Sequence, residues 1–128
     1  MKISKRAQYG LRAAVHLAKG GNKKAASIRE ISNIEGIPFV FLGKIFIDLE
    51  RANLVRAKRG ANGGYFLAKP VGKITAGSIV EALDGKIIPV QCSLCKKEKK
   101  CLSKNVWDRV KQSLSDTLYS ITLEDLIK

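Results

Sequence analysis

The chain has 128 residues, of which 45% are apolar, and this is enough for one compact domain with a buried core. Its 24 lysine and arginine residues against 11 aspartate and glutamate residues give a net charge of +13, which favours a polyanionic partner. Because the sequence contains neither an apolar run of about 18 residues nor a signal peptide, we expect a cytoplasmic protein without a membrane partner.

The first two predicted elements are short amphipathic helices. Ser4 can cap the first helix, whose apolar side runs to the glycine-rich residues 20–22. Ser27 and Glu30 have the spacing of a capping box and begin a second helix, which ends at Gly36. The pattern therefore predicts two helices before residue 36.

A third helix follows after a tight turn. Pro38 suits its first position, and we expect the helix to run through Asn53. Its apolar stripe is formed by Phe39, Leu42, Ile45, Phe46 and Leu49. A second and third helix joined by such a turn have the order of a helix-turn-helix, although amphipathic helix pairs also occur in any helical core.

A basic hairpin comes next. Two β-prone runs, residues 54–55 and 65–67, flank a tip at residues 60–64 that contains three glycines. Arg56, Lys58 and Arg59 lie on one arm. Alone, this could be a surface hairpin with solvated cations. After a helix-turn-helix it predicts a winged helix, with the third helix in the major groove of double-stranded DNA and the hairpin at the neighbouring backbone or minor groove.

The C-terminal part carries two more helix patterns. Residues 75–78 start a short helix that ends at residues 84–85, and a longer helix begins near Ser103. Its apolar stripe could pack on the domain's own core, but homodimerisation on a two-fold symmetric operator is the more economical explanation. The predicted interface residues are Trp107, Val110, Leu114, Leu118 and Ile121.

These patterns predict a mainly α fold with a small β-hairpin wing, that is, a winged helix-turn-helix plus a long C-terminal dimerisation helix. Residues 1–73 form the DNA-binding region in this interpretation. Residues 74–128 hold the short helix, a cysteine loop and the dimerisation helix, and both regions belong to a single compact domain.

Three cysteines, Cys92, Cys95 and Cys101, lie within ten residues. An odd number in a reducing compartment argues for metal binding or redox chemistry and against a disulfide framework. The spacing leaves an iron–sulfur cluster, zinc and a Cys92–Cys95 redox disulfide open. The surrounding cations that would favour thiolates are Lys96, Lys97, Lys99 and Lys100. No thioredoxin-type alternation of strands and helices and no catalytic His–Asp set accompany them, so we predict neither an enzyme nor a small-molecule substrate. A basic architectural or RNA-binding protein with a structural zinc, or a nucleic-acid-binding protein with a cluster-free thiol switch, is the alternative function.

Several segments together resemble one bacterial family. They are residues 2–4, 9–13, 36–38, 41–42, 44–45, 54–56, 59–68, 74–85 and 120–126, together with the three cysteines and Trp107. Over its whole length the chain is similar to winged-helix regulators of the IscR, NsrR and CymR type. The resemblance implies a homodimeric transcription regulator, expected to act as a repressor. It also implies an iron–sulfur cluster on the three cysteines, 2Fe–2S in preference to 4Fe–4S, with zinc or no cofactor as alternatives.

The chain departs from that family at the expected fourth ligand. Relatives space the cysteines more widely, and they place a histidine where Lys104 stands or an acidic residue where Gln8 stands. Glu98, a partner-subunit group, or an exchangeable water or thiol remain candidates, whereas His16 lies in an apolar run typical of a packed residue. An incomplete ligand set would suit a sensor of redox state, nitric oxide or iron–sulfur status.

The predicted base contacts also differ from those of IscR-like proteins. A serine and a glutamate that read bases there correspond to Val40 and Gly43 here, so the operator should differ. We expect phosphate contacts from lysines, a minor-groove contact from Arg59, and a thymine methyl contact from Val40 or Phe41, although Phe41 could belong to the core. The predicted DNA-binding residues are Ser27, Val40, Phe41, Lys44, Arg56, Lys58, Arg59, Gly60, Asn62 and Gly63.

Overall fold

The computed structural model describes residues 2–21, 24–89 and 102–128, and within them the chain is mainly helical with one two-stranded hairpin. This confirms the predicted fold class. None of the helices in these residues is long and apolar enough to cross a membrane. The elements in order are α1 (Lys5–Lys19), α2 (Ile28–Glu35), α3 (Phe39–Arg51), β1 (Val55–Lys58), β2 (Gly64–Leu67), a 3-10 turn (Val71–Lys73), α4 (Ala76–Asp84), α5 (Lys104–Ser120) and α6 (Leu123–Ile127).

The first two helices begin where the sequence predicts them. The Ser4 hydroxyl accepts the Ala7 amide at 3.0 Å, and the Ser27 hydroxyl accepts the Glu30 amide at 3.0 Å. In place of the reciprocal capping-box bond predicted for Glu30, its carboxylate lies 4.0 Å from Nε2 of His16. The N-caps are therefore local, while the Glu30 side chain is engaged by a neighbouring helix.

The bounds of α3 correct three expectations. Pro38 is the N-cap and not the first helical residue, and the helix ends at Arg51. Asn53 was predicted to be helical, but its φ of 61° is left-handed and leads the chain into β1. Phe39, expected in the buried stripe, is 46% exposed. It is the first residue of the helix, three positions before Leu42, the first residue of α3 that is buried. The rest of the predicted stripe is buried, at Leu42, Ile45, Phe46 and Leu49.

The wing is anchored by a bridge that the sequence pattern did not predict. β1 and β2 pair antiparallel from Val55↔Leu67 to Lys58↔Gly64. In addition, the amide of Ala26 donates to Tyr65 O and the amide of Tyr65 donates to Ala26 O, both at 2.9 Å. Ala26, two residues before α2, therefore forms an isolated β-bridge with Tyr65 of β2. This bridge connects the wing to the helix-turn-helix.

The C-terminal part closes over the same core. The core side chains come from all three N-terminal helices, from both strands and from α4, and Leu123 of α6 is also fully buried among them. The expectation that the α5 stripe continues as helix to Ile121 is wrong, because Ile121 is extended. Its carbonyl accepts the Ala76 amide at 2.8 Å, and Thr122 pairs with Thr75. This bridge redirects the chain into the short helix α6, which was not predicted.

Candidate nucleic-acid interface

The turn between α2 and α3 is fixed by hydrogen bonds around Ser32. Its hydroxyl donates to Ile37 O at 2.5 Å, and its carbonyl accepts the amides of Gly36 and Ile37 at 2.9 and 3.2 Å. Gly36 has a φ of 68°, which is the left-handed conformation of a helix C-cap. Because Ile37 is also buried, the turn holds α3 at one angle to α2.

Two side chains of α1 hold the C-terminal end of α2. The Arg12 guanidinium donates to the carbonyl of Glu35 and lies 3.7 Å from its carboxylate. Nδ1 of His16 lies 3.0 Å from the other carboxylate oxygen of Glu35. His16 thus faces carboxylates of α2 with both ring nitrogens, and the helix-turn-helix is braced from behind.

The third helix is braced in the same way. Arg6 of α1 forms an ion pair with Asp48 of α3, and Nη1 of Arg51 lies 3.7 Å from the same carboxylate. The buried stripe takes up one side of α3, and the opposite side faces solvent, with the Arg6–Asp48 pair along its border. Val40, Lys44 and Ile47 are exposed there.

The two side chains proposed for a thymine contact, Val40 and Phe41, differ in their exposure to solvent. Val40 is 72% exposed. Phe41 packs against the core, and its ring meets the ring of Tyr9 edge-on, with centroids 5.6 Å apart. Of the two, Val40 is therefore free to meet a ligand, while Phe41 serves mainly to position α3 against α1.

The cations predicted to contact DNA are all available. Lys44, Arg56, Lys58 and Arg59 are exposed, and none of them forms an ion pair with another residue that the structure describes. Gly60, with a φ of 111°, shapes the tip. A Cβ on Gly63 would lie 2.3 Å from Lys58 O, so this glycine is required by the turn itself.

One cleft brings several of the predicted residues together. It has a volume of about 460 Å³ and lies between the wing tip and the N-terminal end of α2, where it is lined by Ser27, Lys58, Asn62 and Gly63. Lys24 also lines it and was missed, although a lysine three residues before an N-cap serine is a readable signal. The Glu30 carboxylate lines the cleft as well, 4.0 Å from Nε2 of His16. Two lysines beside the positive end of a helix outnumber this one carboxylate and suit a phosphate group.

The predicted dimer stripe lies on an exposed helix. No residue of α5, all of which is described, is buried, and Trp107 is 41% exposed. Val110, Leu114 and Leu118 belong to an open, mainly apolar groove that is lined by residues of α5 alone. Ile121 is half-buried on the extended segment beyond the helix and lies outside this groove.

The predicted cluster ligands Cys92, Cys95 and Cys101 lie outside the described residues, as do Glu98 and the four lysines among them. Within the described ranges, no three histidine, cysteine, aspartate or glutamate side chains are grouped so that they could hold a metal ion. The candidate metal ligands therefore remain those three thiols.

Comparison with known proteins agrees with this architecture. The profile of the Rrf2 family, described as iron-dependent transcriptional regulators, matches residues 3–128. The transcriptional regulator CymR of Bacillus subtilis is 34% identical over 126 residues, covering 98% of this chain and 89% of that protein.

Two solved structures are similar to the whole chain. The structure of CymR, described as the global cysteine regulator of B. subtilis, superposes with a TM-score of 0.88 at 33% identity, covering 99% of this chain and 96% of that one. T. potens IscR superposes with a TM-score of 0.82 at 31% identity, covering 99% and 86%. The similarity thus extends over both the wing and the C-terminal helices.

Proposed function

Because this chain belongs to the Rrf2 family of transcriptional regulators and not to a family of enzymes, we propose that it is a homodimeric repressor. In this proposal it binds a two-fold symmetric operator and responds to redox state, nitric oxide or iron–sulfur status through a cluster held by Cys92, Cys95 and Cys101. Membership confirms the predicted family, and the family and the relatives named above are transcriptional regulators and not enzymes.

The proposed mode of DNA binding rests mainly on the cleft between the wing and α2. Lys58 and Asn62 of the wing line one cleft with Lys24 and Ser27, which precede α2. With a backbone phosphate bound there, we expect α3 to enter the adjacent major groove and Arg59 to meet the next backbone or minor groove. The net charge of +13 supports binding through counterion release.

The exposed groove on α5 supports the proposed dimer. Its lining includes Val106, Val110, Leu114 and Leu118, and exposed apolar grooves of this kind are typical of protein interfaces. Packing α5 against its copy would cover these side chains and place two wings and two copies of α3 on the same operator.

The donor chemistry fits an iron–sulfur cluster. Three thiolates are the ligands that such clusters prefer, and lysines beside them offset the negative charge of the thiolates. When bound, the cluster supplies iron that nitric oxide and oxidants can attack. Since α5 begins at Lys104, three residues after Cys101, a rearrangement of the thiolates would act directly on the start of the dimerisation helix.

The test is anaerobic purification and reconstitution, with iron and sulfide counted and DNA binding compared between the holo and apo forms. We expect a brown protein whose single Cys92→Ala, Cys95→Ala and Cys101→Ala variants all lose iron, keep a native circular dichroism spectrum and bind DNA as the apo form does. The core of the winged helix is built from side chains of the helices and of both strands, so we expect the fold to survive the loss of these thiols.

Two results would contradict the cluster. A colourless protein containing zinc would make the cysteines a structural zinc site. Full iron and sulfide content in Cys101→Ala, with loss of the redox response only in Cys92→Ala and Cys95→Ala, would replace three-ligand binding by a two-cysteine thiol switch.

A further inference from the structure

We propose that α3 reads its operator chiefly through the C5-methyl groups of thymines, and that Gly43 is the point at which the helix backbone approaches the base pairs most closely. This inference rests on the proposed DNA binding and deepens it, because it names the chemical group in the operator that the helix recognises.

The reading surface is a strip along the solvent side of α3. Val40, Gly43, Lys44 and Ile47 are spaced three and four apart and therefore lie on one face of the helix. Val40 is 72% exposed and Ile47 is 47% exposed, while the opposite face is buried. We call these four residues the outer strip.

The outer strip is unusually poor in hydrogen-bonding groups. Lys44 is the one polar side chain among the four residues. Arg6 and Asp48 border Lys44 and Ile47, but they form an ion pair with each other. The strip itself therefore offers none of the arginine, asparagine, glutamine or acidic groups that read base pairs by bidentate or accepting hydrogen bonds. Glu50 and Arg51 are also exposed, but they lie in the last turn, away from the N-terminal part of a recognition helix that meets base edges. The remaining readable feature of the major groove is the thymine methyl, which contacts apolar side chains.

Gly43 has no structural reason to be glycine. It lies within α3 at a helical φ, and a Cβ built on it would meet nothing within 4 Å. By contrast, a Cβ on Gly10 of α1 would come within 2.2 Å of Leu83, so that glycine is explained by helix packing. A mid-helix glycine weakens a helix relative to alanine. Its presence on the outer strip is explained by the close approach of something outside the chain.

The charges around the outer strip favour DNA as that neighbour. Lys44 lies on the strip itself, and the guanidinium of Arg29 on α2 lies 4.8 Å from the ring centroid of Phe39 at the start of α3. The wing carries three further exposed cations, Arg56, Lys58 and Arg59. Apolar side chains bordered by cations match a major groove, in which base methyls are flanked by phosphates.

The experiment uses the full-length protein and a duplex selected from a random-sequence pool. Each thymine of the selected duplex is replaced singly by deoxyuridine, which differs only in lacking the C5-methyl. We expect affinity to fall by about threefold to tenfold at the contacted thymines, as the loss of one buried methyl contact predicts. We expect Val40→Ala to be insensitive to deoxyuridine at one of those positions.

The Gly43→Ala variant distinguishes an effect on DNA recognition from an effect on the stability of the fold. The added methyl should raise the melting temperature and weaken binding to the selected duplex by about tenfold or more, because the helix can no longer approach as closely. Gln112→Ala is the control for a change to alanine in another helix, since Gln112 is exposed on α5 and does not line the groove. It should leave DNA affinity unchanged.

Equal affinity of the parent protein for the thymine duplex and for one carrying deoxyuridine throughout would overturn the inference while leaving DNA binding intact. Unchanged affinity of Gly43→Ala would overturn the role of Gly43. If the parent protein enriched no duplex at any salt concentration, the proposed DNA-binding function itself would fail, and the inference with it.

Discussion

The ring of Tyr65 on β2 stacks on the ring of Phe46 on α3, with centroids 4.6 Å apart and planes inclined by 20°. Phe46 is fully buried, and the backbone of Tyr65 pairs with Ala26 at the entry to α2. Burial, and secondly the charge of Glu50, raises the pKa of the Tyr65 phenol. One residue therefore joins the wing to both helices of the helix-turn-helix.

Tyr65→Ala should loosen the wing. Loss of the stacked ring removes apolar burial and an aromatic pair, and we expect a loss of about 1–3 kcal/mol in the free energy of unfolding. DNA affinity should fall as well, because the wing cations would no longer be held beside α2. Urea unfolding and gel-shift titration measure the two effects. Tyr65→Phe keeps the ring and should retain both properties; equal effects of the two variants would show that the hydroxyl, and not the stacking, matters.

Arg59→Ala tests the wing as a DNA contact. Arg59 is exposed beside the tip, and loss of one phosphate contact should reduce the slope of log affinity against log salt by about one. Insertion into the minor groove would in addition reduce the preference for A·T pairs at that position. Lys128→Ala removes an equal charge at the far end of α6 and serves as the control. The same slope change in both variants would indicate a bulk charge effect.

Gly77→Ala should separate α4 from α5. A Cβ at position 77 would lie 2.5 Å from Cδ2 of Tyr119, whose ring covers this glycine. Overpacking of this kind costs about 1–3 kcal/mol. The expected result in urea unfolding is thus a clear destabilisation, opposite in sign to that of Gly43→Ala. A neutral Gly77→Ala would mean that Tyr119 can move aside without cost.

Because of the Tyr119 phenol, we expect the stability of the fold to depend on pH in the alkaline range. Burial, followed by its hydrogen bond to Glu81, raises the pKa of Tyr119 from 10.0 to about 12. The folded state thus holds the phenol proton more tightly than the unfolded state. The resulting stability is fully present below pH 10 and is lost as the pH rises through about 12.

Thermal unfolding of the parent and of Tyr119→Phe across this range measures the effect. The parent should lose stability more steeply than the variant between pH 10 and pH 12. Other titrating groups, Tyr65 included, contribute equally to both proteins and cancel in the difference. Parallel curves for the two proteins would remove Tyr119 as the cause.

Leu114→Glu tests the groove on α5 as a dimer interface. Leu114 lines the groove and is half-buried in the single chain. An unpaired carboxylate buried between two copies would cost several kcal/mol, so we expect a monomer in analytical ultracentrifugation and weaker operator binding. Lys111→Glu, an exposed change on the same helix that is not part of the groove lining, should remain dimeric. A dimeric Leu114→Glu with unchanged DNA affinity would exclude this groove from the interface.

Local chemistry alone determined much of the fold. Ser4, Ser27 and Thr75 cap the helices predicted from them, and Gly36 ends α2 as expected. These features depend on hydrogen bonds between residues three or four apart and on apolar periodicity, both of which can be read from the sequence. For the same reason, the basic wing could be predicted before its neighbours were known.

Long-range packing decided the rest. The sequence could not decide which of Val40 and Phe41 is exposed for a thymine contact, because Phe41 packs against Tyr9 of α1 only in the folded protein. Nor could it predict the bridge from Ala26 to Tyr65, or the turn at Ile121 that begins α6. Such contacts join residues distant in the chain, whose encounter is set by how the whole core packs and not by any local preference. The cleft that gathers Lys24, Ser27 and Lys58 exists for that reason alone, because two segments distant in the sequence, the entry to α2 and the wing, meet at one place on the folded surface.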